Sequence, residues 1–250
     1  GSEMCIRDRF RLTGVTAFLR ILLALTCVLS VISLVPTAMV YTPRFDDSSM
    51  ALLATAQQQQ RFALTRGLPP ARATLHTIGT APPRMHVLGY SREEFGGGWA
   101  KARVCTTREL VAAVSLPGAT LDKQDCSLDG GSGIDPYTGD RIDSHSDLEL
   151  DHVIPLSAAW DLGAFAWSEE KRMAFANDPL NLVIVGKEQN QAKSDSLPDQ
   201  WLPPNRRARC WYARRVAAVA SSYDLSLPKT DRNTLKHQCI IRDFLQIQLE

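Results

Sequence analysis

Residues 147–195 read DLELDHVIPLSAAWDLGAFAWSEEKRMAFANDPLNLVIVGKEQNQAKSD, and this stretch decides the fold. Leu148-Glu149-Leu150 alternates apolar and polar and runs into Asp151-His152, which predicts a strand with one buried face. The apolar run 182–185, beginning just after Asn181, predicts a second strand. A short polar helix should follow, with Asn190 and Lys193 three residues apart and so on one face. Between the strands, Ser168 with Glu169 and Glu170 opens a helix that Asn177-Asp178-Pro179 stops. Strand, strand and helix thus carry Asp-His, Asn and Asn at their joints.

Three flanking motifs keep a fixed order around this stretch. DPYTG (135–139) precedes the first strand, FANDP (175–179) precedes the second, and WLPP (201–204) follows the helix. Together with DHVIP (151–155) and the N-x8-N-x2-KSD run from Asn181, these make five ordered motifs. On these residues the chain, over 90–239, resembles the HNH or ββα-metal endonucleases. The same pattern occurs in the HNH domain of the RNA-guided CRISPR nuclease. The resemblance is closer to the C-terminal nuclease domain of GmrSD-type modification-dependent restriction enzymes and its small exported relatives. It implies an α+β fold, a ββα-metal nuclease core with added helices. It also implies hydrolysis of phosphodiester bonds in DNA with low sequence specificity, RNA being left open, one divalent metal (Mg²⁺ or Mn²⁺), and no small-molecule cofactor.

The chemistry assigns roles. His152 is the expected general base, because a neutral imidazole takes a proton from water near neutral pH. Asp151 is a hard oxygen ligand for the metal, and Asn190 is expected to add its amide oxygen. Glu149 shares strand parity with Asp151 and could approach the metal. The resemblance gives Asn181 the task of holding the His152 ring in one tautomer. Lys193 is expected to meet phosphate as a point charge, and Arg206, Arg207 and Arg209 to grip the nucleic-acid backbone. Taken singly, each residue has a bland reading: Asn before a strand is a turn residue, and Lys on a polar helix is solvated. The order of the motifs is what argues against it. Two other functions stand beside the endonuclease. One is a non-catalytic envelope protein that keeps the fold to bind nucleic acid. The other is a zinc hydrolase, ranked last because no second nearby His forms an H-E-x-x-H pattern.

Composition is ordinary for a globular chain of 250 residues, at 44% hydrophobic and 22% charged, with net charge +1. The distribution is uneven. Residues 121–170 hold 12 acidic and 2 basic side chains, and residues 201–250 hold 9 basic and 4 acidic. An acidic half suits a metal and a basic half suits phosphate. The first ten residues, GSEMCIRDRF, contain an internal Met4 and are left out of the fold reading. Arg7, Arg9 and Arg11 then precede an apolar run at 21–40, which reads as a signal peptide or a signal anchor. Residues 1–40 are therefore expected to export the chain, secreted or held on the outer side of the membrane. A linker is expected over 41–74 and the nuclease domain over 75–250.

Cys105, Cys126, Cys210 and Cys239 form no C-x-x-C pair, which disfavours structural zinc. In an exported chain they read as two disulfides; of three connectivities, Cys105–Cys126 and Cys210–Cys239 are favoured. Elsewhere, Thr106-x-x-Glu109 reads as a capping box opening a helix, and 126–140 reads as loop. Ser157 is expected to cap a short helix that Gly163 ends. The longest helix is expected over 207–223, with Tyr212, Val216, Val219 and Tyr223 as its buried stripe. A last helix should start near Asp231 and carry Leu235 and Cys239.

Overall fold

The computed structural model describes residues 67–102 and 104–239. The apolar run at 21–40 and most of the expected linker lie outside these residues. Among the described residues, no helix is long and apolar enough to cross a membrane.

The described chain mixes short strands with helices. It begins with α1 (Ala71–Thr77), β1 (Thr80–Ala81), a 3-10 turn (Glu93–Phe95), β2 (Lys101–Ala102), β3 (Cys105–Thr106) and α2 (Thr107–Ser115). Four short strands follow: β4 (Ala119–Leu121), β5 (Leu128–Gly130), β6 (Ser132–Ile134) and β7 (Arg141–Asp143). Next come β8 (Leu148–His152), α3 (Leu156–Asp161), α4 (Glu169–Ala176), β9 (Leu182–Gly186) and α5 (Lys187–Lys193). The chain closes with α6 (Arg209–Ser222), β10 (Leu227–Pro228) and α7 (Lys229–Gln238). Among the described residues the strands pair only two at a time, β1 with β10 in parallel and the rest antiparallel. Two-stranded pairs are marginal alone, so helices must cover them.

The β8–β9 pair divides the interior. Its register sets Leu150 opposite Ile184, Asp151 opposite Val183 and His152 opposite Leu182. Alternation then sends Val183 and Val185 into one apolar cluster, built on α6. Leu150, Leu182 and Ile184 go to the other, built on Leu110, Val111 and Val114 of α2. The stripe of α6 is buried as its spacing predicts, with Tyr212, Val216 and Val219 fully covered and Tyr223 nearly so. Each such side chain contributes about 1.5–3 kcal/mol by leaving water.

Local signals explain most boundaries. Glu109 Oε2 accepts the Thr106 backbone N–H at 2.8 Å, closing the capping box of α2. Ser168 Oγ accepts the Lys171 N–H at 3.3 Å and caps α4. Cys105 is bonded to Cys126 and Cys210 to Cys239, the pairing of sequence neighbours. Three expectations change. Residues 126–140 are not all loop, since β5 and β6 lie there and take their partners from β4 and β7. Three-residue strands rich in Gly and Asp carry no alternation of their own. Ser157 does not cap α3, which starts after Pro155; its hydroxyl donates instead to Asp195 Oδ2 at 3.3 Å. Leu68 and Ala71, on the linker side of the boundary expected at 74/75, are buried beside Leu75 in the α6 cluster.

Candidate active site

β8 delivers its last two residues to opposite faces. On one face Glu149 and Asp151 meet α5. On the other, His152 follows Leu148 and Leu150 and its ring stacks on Trp99, with centroids 5.3 Å apart and planes 21° from parallel. Both residues still reach one cleft of about 230 Å³, whose lining also includes Tyr90, Arg92, Asn190 and Asp195.

The His152 ring is held by a backbone carbonyl. Its Nε2 lies 2.8 Å from Ala176 O, and a carbonyl only accepts, so Nε2 carries the proton and Nδ1 keeps the lone pair. Burial pushes the imidazole down to about 4. The Ala176 carbonyl opposes this shift, while the charges of Lys193 and Arg92 add to it. The ring is therefore neutral across the physiological range. This corrects the expectation that Asn181 holds the imidazole. Asn181 is fully buried; its Oδ1 accepts the Ile154 N–H at 2.9 Å and its Nδ2 donates to Ile154 O at 3.2 Å. Its backbone O also accepts the Val153 N–H at 2.8 Å. The side-chain amide thus adds one more rung where the β8–β9 ladder ends, because Pro155 stops strand pairing two residues beyond Val153. Asn181 positions His152 through the backbone.

Lys193 is a second correction. It is not a solvated cation awaiting phosphate: it is 0% exposed, and its Nζ donates to Asp151 Oδ1 at 2.9 Å and to His152 O at 2.8 Å. The helix KEQNQAK has no apolar stripe, so nothing local marks which face is covered. Packing on β8 covers the face of Asn190 and Lys193. Tyr137, fully buried, donates its hydroxyl to Asp151 Oδ2 at 2.5 Å. Burial raises the Asp151 carboxyl above its ordinary range, and the Lys193 ammonium and Tyr137 hydroxyl pull it back. Asn190 Nδ2 donates to Glu149 Oε2 at 2.7 Å, so Glu149 orients Asn190.

The flanking motifs now have physical roles. In DPYTG, Asp135 Oδ1 accepts the Tyr137 N–H at 2.6 Å and Oδ2 accepts the Gly186 N–H at 2.7 Å. That pins Tyr137 to the end of β9. Gly139 has φ +86°, and a Cβ there would lie 2.9 Å from Asn205 Nδ2. In FANDP, Ala176 holds His152 and Asn177 Oδ1 accepts the Ala100 N–H at 2.8 Å, anchoring the segment that carries Trp99. In WLPP, Trp201 packs edge-on to Tyr137 at 4.9 Å. Residues that reasoning on single positions missed are Trp99, Tyr137 and Arg92. The DPYTG motif signals Tyr137, whereas no local pattern marks Trp99 or Arg92.

The expected nucleic-acid grip at 206–209 is split by the fold. Arg206 and Arg207 are exposed but are not among the cleft-lining residues. Arg209 donates through Nε to Pro203 O at 2.7 Å, which spends part of its fork on the WLPP turn.

A divalent metal is implied by the resemblance, and the donors here can be tested for it. Among the described residues no three His, Cys, Asp or Glu side chains group as a metal site. Mg²⁺, however, is commonly held by one or two protein carboxylates plus waters and substrate phosphate. A carboxylate offers about four lone-pair positions. Lys193 and Tyr137 occupy two of those of Asp151, one on each oxygen. The Asn190 amide oxygen accepts no hydrogen bond among the described residues. Asp151 and Asn190 therefore fit a hard divalent cation.

The family profile described as GmrSD restriction endonucleases, C-terminal domain, matches residues 126–232. An uncharacterized secreted protein of Arthroderma benhamiae is 38% identical over 149 residues, which cover 59% of this chain and 72% of the relative. No solved structure matches the chain.

Proposed function

Because the chain belongs to the family of the GmrSD restriction endonuclease C-terminal domain, we propose that it is an exported, metal-dependent HNH endonuclease that hydrolyses DNA with low sequence specificity. The observation that carries this reading is the His152 imidazole. It is neutral, its Nε2–H is committed to Ala176 O, and Nδ1 is left as the basic nitrogen of a cleft shared with Asp151 and Asn190. In the reaction Nδ1 takes a proton from a water molecule, the water oxygen bonds to phosphorus, and the bond from phosphorus to the 3′ oxygen breaks. Asn181 fixes the backbone from which the imidazole projects, and Trp99 covers one face of the ring. A Mg²⁺ or Mn²⁺ held by Asp151 and the Asn190 amide oxygen would supply Lewis-acid stabilisation of the phosphoryl and leaving oxygens. Lys193 and Tyr137 hold the Asp151 carboxylate in place for that role. Export is supported by the two disulfides and by the similarity to a secreted fungal protein.

One observation favours a second reading, a non-catalytic nucleic-acid-binding module: both Asp151 oxygens are already hydrogen-bonded inside the chain. Plasmid nicking with Mg²⁺, with Mn²⁺ and with EDTA separates the two. The endonuclease nicks with metal and stops with EDTA, and His152→Ala lowers kcat by about 10²-fold or more. Wild-type turnover in that variant rules out His152 as the base. Activity should also survive to low pH. At pH 5.5 an imidazole at its ordinary ~6.5 would be about nine-tenths protonated, whereas one near 4 remains a base. An acid limb of kcat/KM centred near 6.5 would contradict this.

A further inference from the structure

We propose that Arg92 is the residue that grips the scissile phosphate, its guanidinium fork taking two non-bridging oxygens in the cleft of His152, Asp151 and Asn190. The inference rests on the endonuclease reading and adds the cation which that reading lacks. Lys193 cannot supply it, because its ammonium is fully covered and spent on Asp151 and the His152 carbonyl.

The charges lining the cleft point the same way. Its two carboxylates are already ion-paired: Asp151 with Lys193 at 2.9 Å, and Asp195 at 2.7 Å with Arg84, which also pairs with Asp161 at 2.7 Å. Arg92 lines the same cleft and is exposed, and among the described residues it forms no ion pair. Tyr90, a neutral group, lines the cleft with it. Among the described residues that line the cleft Arg92 is the one cation, and its planar fork suits phosphate.

The backbone of Arg92 is held where such a grip must be. Arg92 O accepts the Phe95 N–H at 3.0 Å, opening the 3-10 turn. Phe95 is buried against Phe175, with ring centroids 6.2 Å apart. Arg172 donates through Nε to Glu94 O at 2.7 Å and through Nη2 to Glu94 Oε2 at 3.1 Å. Arg172 and Phe175 belong to α4, whose last residue, Ala176, holds the His152 ring. One helix thus fixes both the base and the turn that bears the guanidinium.

The test uses the full chain with Arg92→Gln and Arg92→Lys. Binding of a short fluorescent DNA duplex is read in EDTA across salt concentrations, and nicking is read with Mg²⁺. Arg92→Gln should weaken binding about 10-fold and reduce the slope of log Kd against log salt by about 0.9, one phosphate contact. It should lower kcat/KM by about 10²-fold. Arg92→Lys should restore the salt slope, because the charge returns, but less than a tenth of kcat/KM, because the fork does not. An unchanged melting temperature, expected for an exposed side chain, keeps folding out of the comparison. If the wild type nicks DNA and Arg92→Gln matches it in affinity, slope and kcat/KM, this inference fails and the endonuclease reading stands. Full rescue of kcat/KM by Lys overturns the bidentate grip. A wild type that neither binds nor nicks DNA removes both.

Discussion

Among the described residues two cations, Lys193 and Arg215, are buried, and they are used differently. Lys193 is 0% exposed and faces a carboxylate, Asp151, at the cleft. Arg215 is 3% exposed, on α6, and donates to the carbonyls of Pro179, Leu180 and Leu182, with its guanidinium 5.2 Å from the Trp211 ring. Arginine suits the second task, because its fork spans several acceptors that are neutral and fixed. It ties α6 to the 3-10 turn Pro179–Asn181 that leads into β9, and so sets where Asn181 sits. Lysine suits the first, because a compact ammonium neutralises one charged oxygen while donating to the His152 carbonyl beside it. One cation shapes the scaffold, and the other holds the carboxylate of Asp151 at the cleft. Both sit in the region of net positive sequence or at its edge, yet neither is a surface charge. A count of basic residues therefore overstates the nucleic-acid surface.

Substitution can break that contrast. The largest effect is expected from Lys193→Met, which leaves the buried Asp151 carboxylate without its cation. It should cost about 3–5 kcal/mol of stability and lower kcat/KM by about 10²-fold or more. The loss of stability should depend on pH. In this variant the Asp151 carboxyl titrates further above its unfolded range, so the protonated folded form is favoured. Stability is then best retained at low pH and is lost as pH rises through the folded-state titration. Urea unfolding at several pH values checks this, and a loss that is flat with pH would mean Asp151 is not what Lys193 compensates.

Arg215→Met should follow, at about 3 kcal/mol, from carbonyls left unsatisfied in the interior. Here kcat per folded molecule should stay at the wild-type value. Unfolding and nicking on the same preparation test both statements; a selective fall in kcat would erase the distinction between the two cations.

Tyr137→Phe should have the smallest effect. It removes one hydrogen bond to Asp151 and leaves the ring packed on Trp201 and Tyr212. A hydrogen bond to a charged group contributes about 1.5–3 kcal/mol. Calorimetric titration with Mn²⁺ should show weaker binding in this variant, because Asp151 loses one of the two donors that fix it. Unchanged affinity would assign that fixing to Lys193 alone.

Reduction of Cys210–Cys239 offers a scaffold-side comparison. Closing a 29-residue separation should contribute roughly 3–4 kcal/mol in the chain-entropy model. The melting temperature should fall on reduction while kcat is preserved, as for Arg215→Met.

What the sequence by itself determined is what short-range patterns encode. Alternation through Leu148, Leu150 and His152 set the strand and its two faces. The capping pairs at Thr106 and Ser168 set two helix starts, and the stripe of Tyr212, Val216, Val219 and Tyr223 set the longest helix. Ordered motifs identified Asp151, His152, Asn181 and Asn190 as a group. What only the tertiary structure decided is which of these groups is dry and which partner each one meets. Lys193 finds Asp151 across 42 residues, His152 finds the carbonyl of Ala176 across 24, and Asn190 finds Glu149 across 41. Desolvation belongs to whatever packs over a side chain, and the polar helix of Lys193 carries no apolar stripe to announce that β8 lies on top of it.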